Sequence, residues 1–510
     1  MSDLVHLQIL NKCQELGDKI ALTDSEGTVT FAELRQCSYK LATLLKKQGL
    51  TAGGSALVCL ENDRWHPIVF LATALLGATT SGVSPLSTPE ELRSYAAKCD
   101  ADVIFCTLAA LDKVATYLAH LIIVCVGTGP SDIKCLPRDL PENIKEFTAE
   151  ITLDDVLTQP FSSGTGGPPK CVKLTHRNYN AATRAMKKAC FDEILATSNH
   201  VTISVLPLFH ASGFWALLFC LLEGVHVVLV SSCHPSIMLE VINKYQVQFF
   251  VTVILCPQIQ VINLVPPIIA ALCRSGGEAP SLRSILSGAS ALSPNLVQEL
   301  KMKFPNVKHI VQGYGMTEVV VLSHLTPLNG TVPPGSCGKL LPGFEAKLID
   351  ENAKIVTHAN QRGELYLRSE AVMSGYKEGG EPLHDGWLRT GDIVYYDNHG
   401  FYFIIDRLKD LIKVNGLQVS PTEIEEVINA YKYVVECGVV GIPHPTKGQV
   451  PRAYVVLKEH KNKTQDHIAK KIMSLVKDKL ASHKQLHGGV EVRNELPRSS
   501  TGKVLRRLLK

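Results

Sequence analysis

The chain has 510 residues, 45% of them hydrophobic and 20% charged, with a formal net charge of +4. That length allows more than one domain and a large core, and the composition excludes a disordered or fibrous chain. So small a net charge argues against general nucleic-acid binding, although from Lys461 onward 13 Lys and Arg stand against 4 Asp and Glu, a basic stretch read first as a solvated face.

The opening "MSDLVHLQILNKCQELGDK" has no basic segment ahead of an apolar core, so no secretory signal is predicted. The closing "RRLLK" is not a peroxisomal Ser-Lys-Leu address, and a cytoplasmic protein is expected. The 15 cysteines are odd in number and none are paired at redox or zinc spacing, which predicts buried small side chains in a reducing compartment. Apolar runs such as "GSALVCL", "ADVIFC", "LIIVCVG", "HVTISVLPL" and "VHVVLV" alternate with helical patterns such as "TFAELRQCSYKLATLLKKQG". This alternation predicts α/β architecture with largely parallel, buried sheets. Glu223 and His226 interrupt "FWALLFCLLEGVHVVLV" short of the roughly 20 residues a membrane span needs, so it is read as core and no transmembrane segment is expected. From Leu341 the strands become short and turn-separated, which suits a small β-barrel-like layer. Near residue 405 the texture changes again: short strands, then Ser420 and Pro421 ahead of Glu423 as a helix start, then a compact α+β module. The expected division is a large domain over 1–405, a hinge over 406–410 ("DRLKD") and a small domain over 411–510.

"FSSGTGGPPKCVKLTH", residues 161–176, is the most specific local signal. Gly164, Gly166 and Gly167 free the backbone, Ser162, Ser163 and Thr165 offer hydroxyls, Pro168 and Pro169 stiffen the exit, and Lys170 adds a point charge; the natural guest is a polyphosphate. It is not a Walker loop, because Pro169 precedes Lys170 and Cys171 follows it. It is not a dinucleotide fingerprint either, since the prolines and the β-branched exit favour a strand where that motif needs a helix.

The stretch resembles the phosphate-binding loop of adenylate-forming enzymes, the superfamily of acyl-CoA synthetases, firefly-type luciferases and peptide-synthetase adenylation domains. It departs from the family pattern at Gly166, usually Thr, and at Cys171, usually Gly. "VLPLFHASG", "SGASALSPNLVQEL", "QGYGMTE", "GELYLRSEAVMSGY", the run from "GWLRTGD" to "VSPTEIE", and "PRSSTGKVLRR" follow in the family's order over essentially the whole chain.

The resemblance implies a fold class: α/β, with a large N-terminal domain of two α/β sheet subdomains plus the β-barrel-like layer, and a small mobile α+β C-terminal domain. It implies that a fatty or aryl acid attacks the α-phosphorus of ATP, giving an acyl-adenylate and pyrophosphate, after which CoA displaces AMP. Mg²⁺ would be held by Glu318, with Thr317 on the α-phosphate and the loop of Ser162, Ser163, Gly164, Thr165, Gly166, Gly167 and Lys170 on the outer phosphates. Gly288, Ala289, Gln312, Gly313 and Tyr314 would border the adenine, and Asp392 with Arg407 the ribose. Lys503 would be the catalytic lysine of adenylation, His210 the gate for the carboxylate, and Gly416 the passage for pantetheine, with Lys413 on the same stretch. Phe214, Ser287, Gly288, Ala289 and Met316 would line the acyl pocket, and the small domain would turn about Lys409-Asp410 between half-reactions. The expected state is a monomer or weak dimer. Two alternatives stay open: a luciferase-type oxygenase, and a nucleotide-binding protein without turnover.

Overall fold

Capping chemistry sets the helix starts. Thr30 and Glu33 form a reciprocal capping box for helix Phe31–Lys47, and Thr88 with Glu91 does the same for Pro89–Lys98. In the first of these helices, Leu34, Leu41, Ala42 and Leu45 recur on one face and are buried. The computed structural model describes residues 3–509 except 128–132, 145, 163–168, 193–200, 232–233, 245–258, 289–291, 293, 381–382, 416, 459–463 and 499–503.

Two nine-stranded sheets organise the first part of the chain. The first runs in the order Lys339–Leu340, His324–Leu325, His309–Tyr314, Ser284–Ser287, Ile259–Leu264, Val201–Ser204, His226–Leu229, Ile20–Asp24, Gly27–Thr30. The second carries Ser55–Cys59 at its centre, flanked by Thr79–Gly82 on one side and by Val103–Thr107, Ile122–Val126 and Lys134–Leu136 on the other, all parallel. Their interiors are continuous apolar runs, as sheets covered on both faces require. In the second, register places Cys59, Cys106, Cys125 and Cys135 side by side on successive strands, each fully buried. All cysteines among the described residues are free thiols, and burial pushes Cys59 and Cys125 up to about 11, so they act as small apolar side chains.

"HVTISVLPL" yields a strand only to Ser204, after which the chain turns into helix Ala211–Leu222. Among the described residues no helix is long and apolar enough to cross a membrane. The short-strand region forms an antiparallel sheet that includes Gly363–Arg368, Trp387–Tyr396 and Tyr402–Arg407. Beyond it the hairpin Val434–His444 and Gly448–Leu457 pairs with Ile412–Val414 and Val490–Val492, and helices Pro421–Asn429 and Gln465–Lys479 contribute to the same core. The chain divides into two compact units, 1–345 with 368–386, and 346–367 with 387–510.

Candidate active site

In the first unit, parallel register aligns Leu264, Ser287 and Gln312 at the carboxyl ends of neighbouring strands. Ligands bind at such ends in open α/β sheets. Gly288 follows Ser287 and donates its N–H to Leu264 O at 3.3 Å. The Gln312 amide is spent on scaffolding: its oxygen accepts from Leu292 N at 2.8 Å and its nitrogen donates to Ser336 O at 3.0 Å. Gln312 thus ties Leu292 and Ser336 to the strand His309–Tyr314, while Ala289 lies outside the described residues. Tyr314 is buried with its ring 5.5 Å from that of His324, and Gly313 lies against Leu322, whose side chain would be 2.6 Å from a Cβ at 313.

His210 stands at the N-terminus of helix Ala211–Leu222, its N–H bonded to Pro207 O at 3.1 Å. The turn is so tight that a Cβ at Gly213 would sit 2.3 Å from Pro207 O. Burial pushes His210 down to about 4, so its imidazole is neutral at neutral pH. One turn on, Phe214 packs edge-on to Phe70 at 5.1 Å.

Residues 163–168 lie outside the described set, so Ser163, Gly164, Thr165, Gly166 and Gly167 are not placed, but the strands that bracket them are. Phe161–Ser162 pairs antiparallel with Lys170–Thr175, Ser162 opposite Lys170. Cys171 points its thiol into the buried cluster of the second sheet, and its N–H reaches both carboxylate oxygens of Glu378 at 3.1 Å. Lys170 is exposed, with Nζ 4.4 Å from the ring centroid of Tyr376, and the Tyr376 hydroxyl donates to Glu318 Oε1 at 2.9 Å. One aromatic side chain therefore joins the loop lysine to the buried acid. Tyr376 was not singled out in the sequence; its only signal is the end of "SGY".

Glu318 lies in a short 3₁₀ turn, Thr317–Val319, that ends in two β-branched residues at positive φ, Val320 at +51° and Val321 at +83°. Such strain persists only where the surroundings enforce it. Gly315 is the counterpart, since a Cβ there would lie 2.0 Å from Val321 O. Among the described residues no lysine or arginine pairs with Glu318. A buried carboxylate with one oxygen oriented by a phenol fits the hard, oxygen-seeking Mg²⁺.

In the second unit, Asp392 and Arg407 are cross-strand partners, 2.5 Å apart, with Asp392 buried. The sequence suggested that they share a ligand, and the sheet brings them together. Lys413 is exposed on its strand, and Gly416 lies outside the described residues, as does Lys503. The described residues on either side of 499–503 pair with each other: Arg498 bridges Val504, and Leu505 N donates to Pro497 O at 2.8 Å. Arg506, also missed in the sequence, fans out to Glu425 at 2.7 Å, Thr422 at 3.0 Å, Asp406 at 3.1 Å and Asp410 at 3.4 Å.

The family described as AMP-binding enzyme matches residues 10–377, and the AMP-binding enzyme C-terminal domain matches residues 423–503. The chain belongs to the AMP-binding enzymes, the adenylate-forming superfamily. Luciferin 4-monooxygenase of Photuris pensylvanica is 30% identical to this AMP-binding enzyme over 98% of the chain and 93% of its own length. 4-Coumarate–CoA ligase 1 of Petroselinum crispum is also 30% identical, over 99% and 93%. Among solved structures, o-succinylbenzoate CoA synthetase from Bacillus subtilis in complex with its acyl-adenylate intermediate superposes with a TM-score of 0.84 at 27% identity, covering 99% of this chain and 97% of that one.

Proposed function

We propose that this AMP-binding enzyme is an acid–CoA ligase that activates a fatty or aryl carboxylic acid with ATP and transfers the acyl group to CoA. The observation that carries the reading is the linked set Lys170, Tyr376 and Glu318, a cation and a carboxylate oriented by one ring at the end of the phosphate-loop hairpin. Acid and triphosphate are both anionic, so the barrier is one of charge and position. Lys170 and the loop N–H groups hold the outer phosphates. Mg²⁺ on Glu318 would neutralise phosphate charge. Asp392 accepts from the ribose hydroxyls, with Arg407 holding its carboxylate in place. His210, neutral at working pH, admits the acid without fixing it as a tight ion pair, and Lys503 donates to the charge developing on the α-phosphate. The small domain, 411–510, turns about Lys409-Asp410 for the thiol step, and Gly416 then lines the pantetheine path.

The test is pyrophosphate release across carboxylic acids of graded length and aromaticity, with and without CoA. At least one acid should release pyrophosphate and form a thioester only when CoA is present. No release with any acid would overturn the reading. The equal identity to a luciferin 4-monooxygenase favours one second reading, an adenylating oxygenase. Light from luciferin, ATP and oxygen would establish it.

A further inference from the structure

Residues at or just past four strand ends meet next to His210: Asn62 beyond Ser55–Cys59 and Gly82 of Thr79–Gly82 from the second sheet, with Leu206 and Phe209 beyond Val201–Ser204 and Val230 beyond His226–Leu229 from the first. Asn62, three residues past Cys59, spans them. Its Nδ2 donates to Leu206 O at 3.0 Å and to Val230 O at 3.1 Å, and its Oδ1 accepts from Leu208 N at 2.9 Å. A primary amide offers two N–H groups and one carbonyl, and both ends are engaged here with backbone. Leu206 and Leu208 lie between the strand end at Ser204 and the helix start at Ala211, where neither sheet nor helix supplies partners, so Asn62 satisfies groups that would otherwise be orphaned.

A second grip falls on the next residue. The Phe209 backbone rests on Gly82, where a Cβ would come within 2.6 Å of Phe209 Cα and 2.9 Å of its carbonyl oxygen. His210 follows directly, two residues past Leu208 and one past Phe209. We infer that Asn62 is a positioning residue for His210: it clamps the strand-to-helix turn from the opposite sheet and so sets where the imidazole meets the acid. The role of His210 rests on the proposed function; the clamp rests on the geometry alone. The residue type is specific, because aspartate would turn acceptor oxygens toward two carbonyls and alanine would leave three backbone groups unpaired.

The test uses the full-length enzyme and the acid that releases pyrophosphate fastest. Asn62→Ala should raise the KM for the acid by about 10-fold to 100-fold, the scale of a small misplacement of a positioning group, with the KM for ATP unchanged. Asn62→Asp should do at least as much. In a His210→Ala background, Asn62→Ala should add almost nothing, because its effect passes through the missing ring. Parallel rises in both KM values, or additive losses in the double variant, would overturn the inference. If Asn62→Ala does not fold, Asn62→Ser is read in the same way. Hydrogen exchange supplies a readout independent of turnover: the Leu208 amide loses its acceptor in Asn62→Ala, so a peptide spanning 205–214 should exchange faster while helix Trp65–Leu75 does not. Unchanged exchange there overturns the clamp, whereas a wild-type enzyme inert toward every acid overturns the proposed function and leaves exchange to decide the clamp.

Discussion

Tyr376 shows how much can depend on one hydroxyl. Its ring faces Lys170 and its oxygen bonds to Glu318, so Tyr376→Phe removes the second contact and keeps the first. A hydrogen bond to a charged group contributes about 1.5–3 kcal/mol, and Glu318 without it has one restraint fewer on its carboxylate. Tyr376→Phe is therefore expected to raise the KM for Mg·ATP by about 10-fold, the low end of that range, with little change for the acid; Tyr376→Leu, which also removes the ring, should be worse. Initial rates at varied Mg·ATP check this, and wild-type values for both variants would detach Tyr376 from the site. The valines at 320 and 321 follow Glu318 closely at positive φ, so the backbone that carries it is held in a strained shape.

Among the elements, the closing 3₁₀ turn Arg506–Leu508 is held by charge. Burial opposes the Arg506 charge, but Glu425, Asp406 and Asp410 outweigh it and hold its pKa above the ordinary arginine range. Removing one partner of such a buried network costs about 3–5 kcal/mol, because carboxylates are left facing one another. Arg506→Met should lower the urea midpoint of the second unit accordingly, with Arg506→Lys intermediate since it keeps the charge and loses the fork. A midpoint equal to wild type would show that the network is not structural. These partners also mark where sequence reading stopped. The helix starts at Thr30 and Ser420, the alternating strands and the strand Lys170–Thr175 after the prolines were legible because their determinants lie within a few residues of each other. Arg506 meets its partners 81 to 100 residues away and Asn62 meets its own 144 to 168 away, and pairings over such distances leave no local pattern to read. "HVTISVLPL" looked like one long strand because apolar alternation does not record that its last residues bond to Asn62, a side chain just beyond a strand of the other sheet.

Over the whole molecule, stability should depend steeply on acid. His6 and His324 are pushed down to about 3, and His66 and His176 to about 4, chiefly by burial, and all four are nearly inaccessible. Folded, they stay neutral down to those values; unfolded, they take up protons near 6.5. Below pH 6.5 the unfolded chain thus binds more protons, and stability falls with acid by about 1.4 kcal/mol per pH unit for each histidine. Asp63, pushed up to about 7 by burial, works the other way, but it is one group and its side chain keeps 25% exposure. Melting temperature should therefore drop sharply between about pH 6.5 and 4.5, and His66→Phe should make the fall shallower. A flat profile through that window would show that these histidines are not buried as described.

The chain passes between its two units at residues 345, 367 and 386. Gly375–Tyr376, which pairs with Lys173 and Val172, belongs to the first unit although a segment of the second is made before it. On the ribosome, one side of the strand Lys170–Thr175 must wait some two hundred residues of synthesis for its partner, exposed in the meantime as an open sheet edge of the kind that recruits other chains. The nascent chain thus needs protection at the strand Lys170–Thr175 until Gly375–Tyr376 has been made, and a truncated chain ending at residue 345 or 367 would carry that open edge permanently into the finished polypeptide.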